Sequence, residues 1–423
     1  MVNPFSSNRR AGSKYLLASL PSLLLALIFP LSAAEVSTPL PESSSSVSKT
    51  TRFGRKLTVG AVNTLLEFDR LFRQSSTAVS EHYLDRVADP KSDLHPLYLN
   101  YKQGRINQAE LVASLPHVAL LGDSLSKNFY ISTVPSVFWR TRTELRKNWF
   151  LDSDLSPNSI YSLDERIDKN TPLVATDYAR TGALVTAHSG DEDLIHMLGH
   201  TPNFPGQVDQ VLKPKRFPDL LLLWIGNNNL DWVNGASPSV REHPEKYLQE
   251  RVGRFRVDYT RQMRRIISRA EGEDHPVAIV VFGIVNCGSY FQARKIAEEL
   301  RAKDRNLYPY LEVDYRRAES LKPEYRQTAT RLQRLLNREL QSVVRDLRDE
   351  LQPYPKVRLQ YSDVLAKLDI SKIEMINAHD AWHFSPLGHD RVAQTVFTAV
   401  TPSLDFLGIG SKTYGSRRSK LHQ

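Results

Sequence analysis

Leu220 to Ile225 is a run of six large apolar residues, entered through Phe217-Pro218-Asp219 and left through Gly226-Asn227-Asn228-Asn229. A strand with no polar position must be covered on both faces, which calls for a parallel sheet between two layers of helices. Four more segments read the same way. Val118-Ala119-Leu120-Leu121 stops at Gly122-Asp123-Ser124, a short extended run from Leu173 leads toward Gly182, and Val277 to Val285 and Val357 to Tyr361 follow. Between them lie stretches of helical length, Ser126 to Leu145 among them. The longest are Pro244 to Ala270, with Tyr247, Leu248, Val252, Phe255, Val257, Met263, Ile266 and Ile267 as its buried stripe, and the charged span Ser289 to Leu351, divided by Pro309 and Pro323. Strands alternating with helices give an α/β fold, a doubly wound parallel sheet of about five strands in one domain.

In open sheets of this kind, sites form outside the carboxyl ends of the strands. Ser124 falls there, as do Asn228 and the backbone N–H of Gly182. A serine hydroxyl is a poor nucleophile at neutral pH, so a histidine must take its proton and a carboxylate must hold that imidazole in the right tautomer. Asp380-Ala381-Trp382-His383 supplies both groups: His383 as base, Asp380 as the group that orients it. Asp193-Leu194-Ile195-His196 has the same spacing, but only the later copy precedes the final helix. There Ser385-Pro386 reads as N-cap and first turn of a helix to about Val400, so the base sits on a fixed loop at a helix entrance. Attack on a carbonyl creates an oxyanion that needs donors worth about 3 kcal/mol each. The N–H groups of Ser124 and Gly182 and the side-chain amide of Asn228 are the candidates.

Gly122-Asp123-Ser124-Leu125, Gly182, Gly226-Asn227-Asn228 and Asp380-Ala381-Trp382-His383 occur in this order. Together they resemble the SGNH/GDSL hydrolase superfamily, whose esterases, lipases, carbohydrate deacetylases and acyl transferases share a flavodoxin-like three-layer α/β/α sandwich. The resemblance spans about Val118 to Val400. It implies a Ser-His-Asp hydrolase of carboxylic esters acting through an acyl-enzyme, with no cofactor and with a lipid or acylated carbohydrate as substrate. Two positions depart from the family pattern: Asn229 stands where Asp is usual, and Arg180 where an Asn precedes the glycine. The same residues would serve an O-acyltransferase or a carbohydrate deacetylase, and a non-catalytic binding module on this fold is the remaining class.

His379, His383 and His389 invite a metal reading. The helical zinc motif, however, wants Glu after its first histidine and a helix beneath both, whereas Asp380 holds that place and the helix starts at Ser385-Pro386. No metal is expected. Cys287, the single cysteine, lacks any nucleophile motif and reads as a small buried side chain; alone, it permits no internal disulfide.

The ends of the 423-residue chain carry a separate signal. Arg9, Arg10 and Lys14 precede an apolar stretch from Tyr15 to Leu31, and Ser32-Ala33-Ala34 offers small residues for cleavage. Residues 1–34 are therefore expected to be a signal peptide that exports the chain to the periplasm or the extracellular space, with an uncleaved anchor as the rival. A Ser- and Pro-rich linker is expected over 35–56, a helical extension over 57–115, the hydrolase domain over 116–405 and a basic tail over 406–423. The net charge of +9 is concentrated in the two ends. This argues against nucleic-acid binding and leaves peripheral membrane contact to the tail. Nothing in the pattern fixes an oligomeric state.

Overall fold

The computed structural model describes residues 75–126, 148–151, 161–180, 183–186, 204–230, 242–308, 323–377 and 383–410. All of them fall within one compact unit, Asp69–Tyr130 with Arg142–Gln423. The sequence expectations for the signal segment, the linker, the start of the extension, most of the helix from Ser126 to Leu145 and the tail from 411 onward lie outside the described residues. So do Asp193 and His196.

In chain order the elements are β1 (Ser76–Val79), α1 (Tyr83–Ala88), α2 (His95–Lys102), α3 (Gln108–Ala113), β2 (His117–Gly122), α4 (Leu163–Asp168), β3 (Val174–Asp177) and α5 (Phe204–Leu212). Then come β4 (Leu220–Trp224), α6 (Pro244–Glu271), β5 (Val277–Phe282), α7 (Cys287–Lys303), α8 (Pro323–Glu350), β6 (Val357–Ser362), α9 (Val364–Lys367) and α10 (Pro386–Leu407). The strands form one sheet in the order β1-β3-β2-β4-β5-β6. The five expected strands are all parallel, with Val118 opposite Leu220 and Gly122 opposite Trp224 at the centre. Every residue of β4 and β5 is buried, as their unbroken apolar composition requires. Helices cover both faces: α5, α6 and α8 pack on one another, and α10 packs on α4, β4 and β5.

The sheet has a sixth strand. Ser76–Val79 pairs antiparallel with β3, and α1 follows it, within the span 57–115 expected to be a helical extension. Its Ser-Thr-Ala-Val sequence has no apolar face, so pairing with β3 holds it in place. Two further expectations are corrected. Val257, placed in the buried stripe of α6, is 58% exposed, because helical spacing carries it round to the side opposite Phe255 and Tyr259. The last helix runs beyond Val400 to Leu407, with Pro402 inside it. Among the described residues, no helix is long and apolar enough to cross a membrane.

Candidate active site

The site is built where β2 and β4 end side by side. Gly122 is the last residue of β2, and a Cβ there would lie 2.4 Å from Ser126 Oγ and 3.1 Å from the Trp224 carbonyl, so only glycine allows the chain to turn this tightly. Asp123 then organises the turn. Its Oδ1 accepts from the Leu125 N–H at 3.0 Å, and its carbonyl accepts from the Ser126 N–H at 3.0 Å. Across the sheet, Oδ2 accepts from the Asn227 amide at 2.9 Å and the Asn227 N–H at 3.3 Å. Asn227 Oδ1 in turn accepts from the Val285 N–H at 3.0 Å, beyond the end of β5. One buried chain of hydrogen bonds therefore joins the ends of β2, β4 and β5. Ser124 leaves this turn 5% exposed, and its N–H has no acceptor among the described residues.

The side of the turn facing β3 is held by a residue that the sequence did not mark. β3 stops at Asp177, opposite Leu120, so Gly122 has no strand partner there. Gln207 of α5 fills the gap: its Oε1 accepts from the Gly122 N–H at 2.9 Å and its Nε2 donates to the Gly122 carbonyl at 2.8 Å. The Arg180 N–H donates to that carbonyl as well, at 3.1 Å. Gln207 shares the helix face of Phe204, Val208 and Val211, all buried. A polar residue on an otherwise apolar face was the available signal.

Gly226 ends the β4 segment with φ 115°, a conformation natural only to glycine. The three asparagines after it divide the work. Asn227 serves the Asp123 link. Asn229, where the family usually has Asp, accepts from the Val185 N–H at 2.8 Å and donates to the Thr186 carbonyl at 3.2 Å. Asn228 donates from Nδ2 to the Ala183 carbonyl at 3.0 Å, which uses one of its two amide hydrogens. Asn228 and Asn229 thus pin the segment 183–186 that follows Gly182. Gly182 itself lies outside the described residues.

His383 comes from the opposite direction, on a loop closed at its base. The Asn377 N–H donates to the His383 carbonyl at 2.7 Å, Ile376 and Phe384 form an antiparallel bridge, and the Ser385 N–H donates to the Met375 carbonyl at 3.0 Å. Ser385 accepts from the Gly388 N–H at 3.2 Å and caps α10, as the sequence implies. Phe384 stacks on Trp224 at 6.1 Å between ring centroids, and Trp224 also meets Trp149 edge-on. Such pairs contribute about 0.5–1.5 kcal/mol each beyond burial, and they fix the loop against the end of β4. His383 is 9% exposed, and it is among the groups that act on the Asp123 carboxyl, whose pKa is set mainly by burial. The Gly-Asp-Ser turn and the histidine therefore share one electrostatic neighbourhood, although no hydrogen bond joins Ser124 to His383. Asp380 and His379 lie outside the described residues. His389 is fully buried, with Nδ1 accepting from the Trp149 N–H at 3.3 Å, a structural position. Cys287 is buried too, and burial pushes its thiol far above the ordinary range. Among the described residues, the chemistry on hand at this edge is the nearly buried Ser124 hydroxyl, the His383 imidazole and the Asn228 side-chain amide.

Burial also sets how stability responds to acid. It lowers the His389 imidazole to about 3 and the His117 imidazole to about 4, and it raises the Asp123 carboxyl to about 6. For the histidines, the unfolded chain binds protons more readily, so their contribution is complete above about 6.5 and is lost as pH falls toward 4. Asp123 acts in the opposite sense, adding stability as pH falls from 6 toward 4. Each shift amounts to about 3 kcal/mol over that window, and two losses outweigh one gain. Thermal melts should therefore show a lower midpoint at pH 4.5 than at pH 7; an unchanged or higher midpoint would contradict these assignments.

The chain belongs to the GDSL-like Lipase/Acylhydrolase family, whose model matches residues 118–396, the span from the start of the central strand into the last helix. Membership makes it a hydrolase of the esterase and lipase type. No curated protein matches the chain. Among solved structures, the lipase Lip_vut3 from a goat rumen metagenome aligns over 67% of this chain and 97% of its own. The identity is 13% and the TM-score 0.34.

Proposed function

We propose that this protein is an exported serine esterase that cleaves carboxylic esters through an acyl-enzyme. The observation that carries the reading is the Gly122-Asp123-Ser124 turn, clamped by Asn227 and Gln207, with the loop of His383 fixed on the neighbouring end of β4 by the stack of Phe384 on Trp224. Ser124 Oγ attacks the ester carbonyl while His383 takes its proton, and Asp380 holds the imidazole and balances its charge. The Ser124 N–H, the Gly182 N–H and the second amide hydrogen of Asn228 receive the oxyanion. When the tetrahedral adduct collapses, the alcohol leaves with the proton from His383. Water, deprotonated by His383, then attacks the acyl-serine and frees the acid. These steps need no metal or organic cofactor. Export rests on the basic and apolar pattern of residues 1–34.

A panel of chromogenic esters graded in acyl length, run beside acetylated sugars and with a polysaccharide acceptor present, tests the reaction. Turnover with release of free acid is expected. Transfer to the acceptor faster than hydrolysis would replace the esterase reading by acyl transfer, and complete failure to react with a fluorophosphonate probe would leave a binding module. Asn228→Ala is expected to lower kcat by about 10²-fold or more; a change confined to KM would reduce Asn228 to a substrate contact.

A further inference from the structure

Helices α6 and α8 lie side by side on one face of the sheet and run in the same direction. Arg331 pairs with Glu245, Arg256 reaches Glu339 at 2.5 Å and Asp346 at 2.9 Å, and Arg264 reaches Glu350 at 2.9 Å. The partners ascend together along both chains. These pairs tie the two helices together, and Glu245, Glu250, Asp349 and Glu350 remain exposed near the ends of the two helices.

On α8 the exposed positions from 331 to 348 recur every three or four residues: Arg331, Arg334, Arg338, Gln341, Arg345 and Arg348. The row is about 26 Å long, with successive side chains about 5–6 Å apart. No acidic residue stands in it. Arg334, Arg338 and Arg348 form no ion pair among the described residues. A second row, Arg254, Val257, Arg261 and Arg264, runs beside it on α6, with Arg261 paired to Asp258 at 3.1 Å, Arg264 to Glu350, and Glu250 exposed one turn before it. Neither row contains a lysine. Among the side chains described on the two helices, Val257 is the only large apolar one exposed.

The occupant follows from what the face contains and lacks. A membrane-seeking helix needs an apolar side to enter the lipid, and here one valine stands among arginines. Single-stranded nucleic acid is held by aromatic platforms between the cations, and neither row offers one. What remains is a narrow line of planar guanidinium forks, which fit carboxylates two bonds at a time. Their repeat is about the length of one sugar unit. We propose that these paired arginine rows bind a linear acidic polysaccharide, with its carboxylates seated along the helix axes. The proposal concerns docking and does not depend on the reaction assigned to Ser124.

The test uses the full chain and fluorescently labelled polygalacturonate, read by anisotropy from low salt to about 0.15 M, where screening reaches within about 8 Å. Binding that weakens with salt is expected, with none to neutral dextran. The combined variant R334Q/R338Q/R345Q/R348Q should bind at least tenfold more weakly. Its melting temperature and its turnover of a small chromogenic ester should stay at the parent values, since glutamine keeps the helix propensity and none of the four touches the site. Removing residues 411–423 should leave binding intact, which separates the rows from the basic tail. Equal binding by the quadruple variant, or loss on removal of the tail alone, would overturn the proposal. So would failure to bind polygalacturonate, or tighter binding to phosphatidylglycerol vesicles, duplex DNA or dextran sulfate at matched charge.

Discussion

Ser124→Ala is expected to remove ester turnover by about 10⁴-fold or more without disturbing the fold. The substitution deletes one oxygen from a side chain that makes no hydrogen bond among the described residues, in a turn held by its neighbours. Melting temperature and circular dichroism should match the parent, and labelling by a fluorophosphonate should vanish. The residual rate should reflect oxyanion donors and substrate binding alone. Turnover within tenfold of the parent would exclude Ser124 as nucleophile and move the search to another hydroxyl.

Asp123→Ala should damage both stability and rate. The carboxylate accepts three hydrogen bonds in a fully buried setting, from the Leu125 N–H and from the N–H and amide of Asn227. Removing it strands those donors, each at about 1–3 kcal/mol. Part of the loss is recovered because a carboxyl raised to about 6 no longer has to be ionised in the interior at neutral pH. A net loss of about 3 kcal/mol in a urea melt follows, with kcat down at least tenfold and KM little changed, since Asp123 holds the turn and not the substrate. A melt within about 0.5 kcal/mol of the parent would mean that the chain of hydrogen bonds from β2 to β5 carries no weight.

The five parallel strands were legible because burial on both faces leaves a signature that survives without context: β4 and β5 are apolar at every position. The positions of the candidate site residues in the fold were legible for a related reason. Ser124, Asn228 and His383 each stand directly after a strand or before a capped helix, where local pattern and chemistry coincide. What the pattern missed is held by distant partners. β1 is small and polar, and only its pairing with β3 makes it a strand. Gln207 reads as one glutamine on a helix until β3 is seen to stop short of Gly122. Asn227 and Asn229 look interchangeable with Asn228 in sequence, yet they bind Asp123 and the 183–186 segment respectively. Val257 shows the converse: an apolar residue two positions from both Phe255 and Tyr259, which the helix turns toward water.

The antiparallel placement of β1 has a consequence for solubility. Without it, the outer rim of Val174–Asp177 would offer a ladder of unpaired amides and carbonyls on which another chain could dock. A four-residue strand is enough to occupy that ladder, and Val79 is its only large apolar side chain turned outward. Trimming the polypeptide back past Ser80, a tempting choice when shortening it for crystallisation, would uncover this rim and favour self-association of the shortened protein.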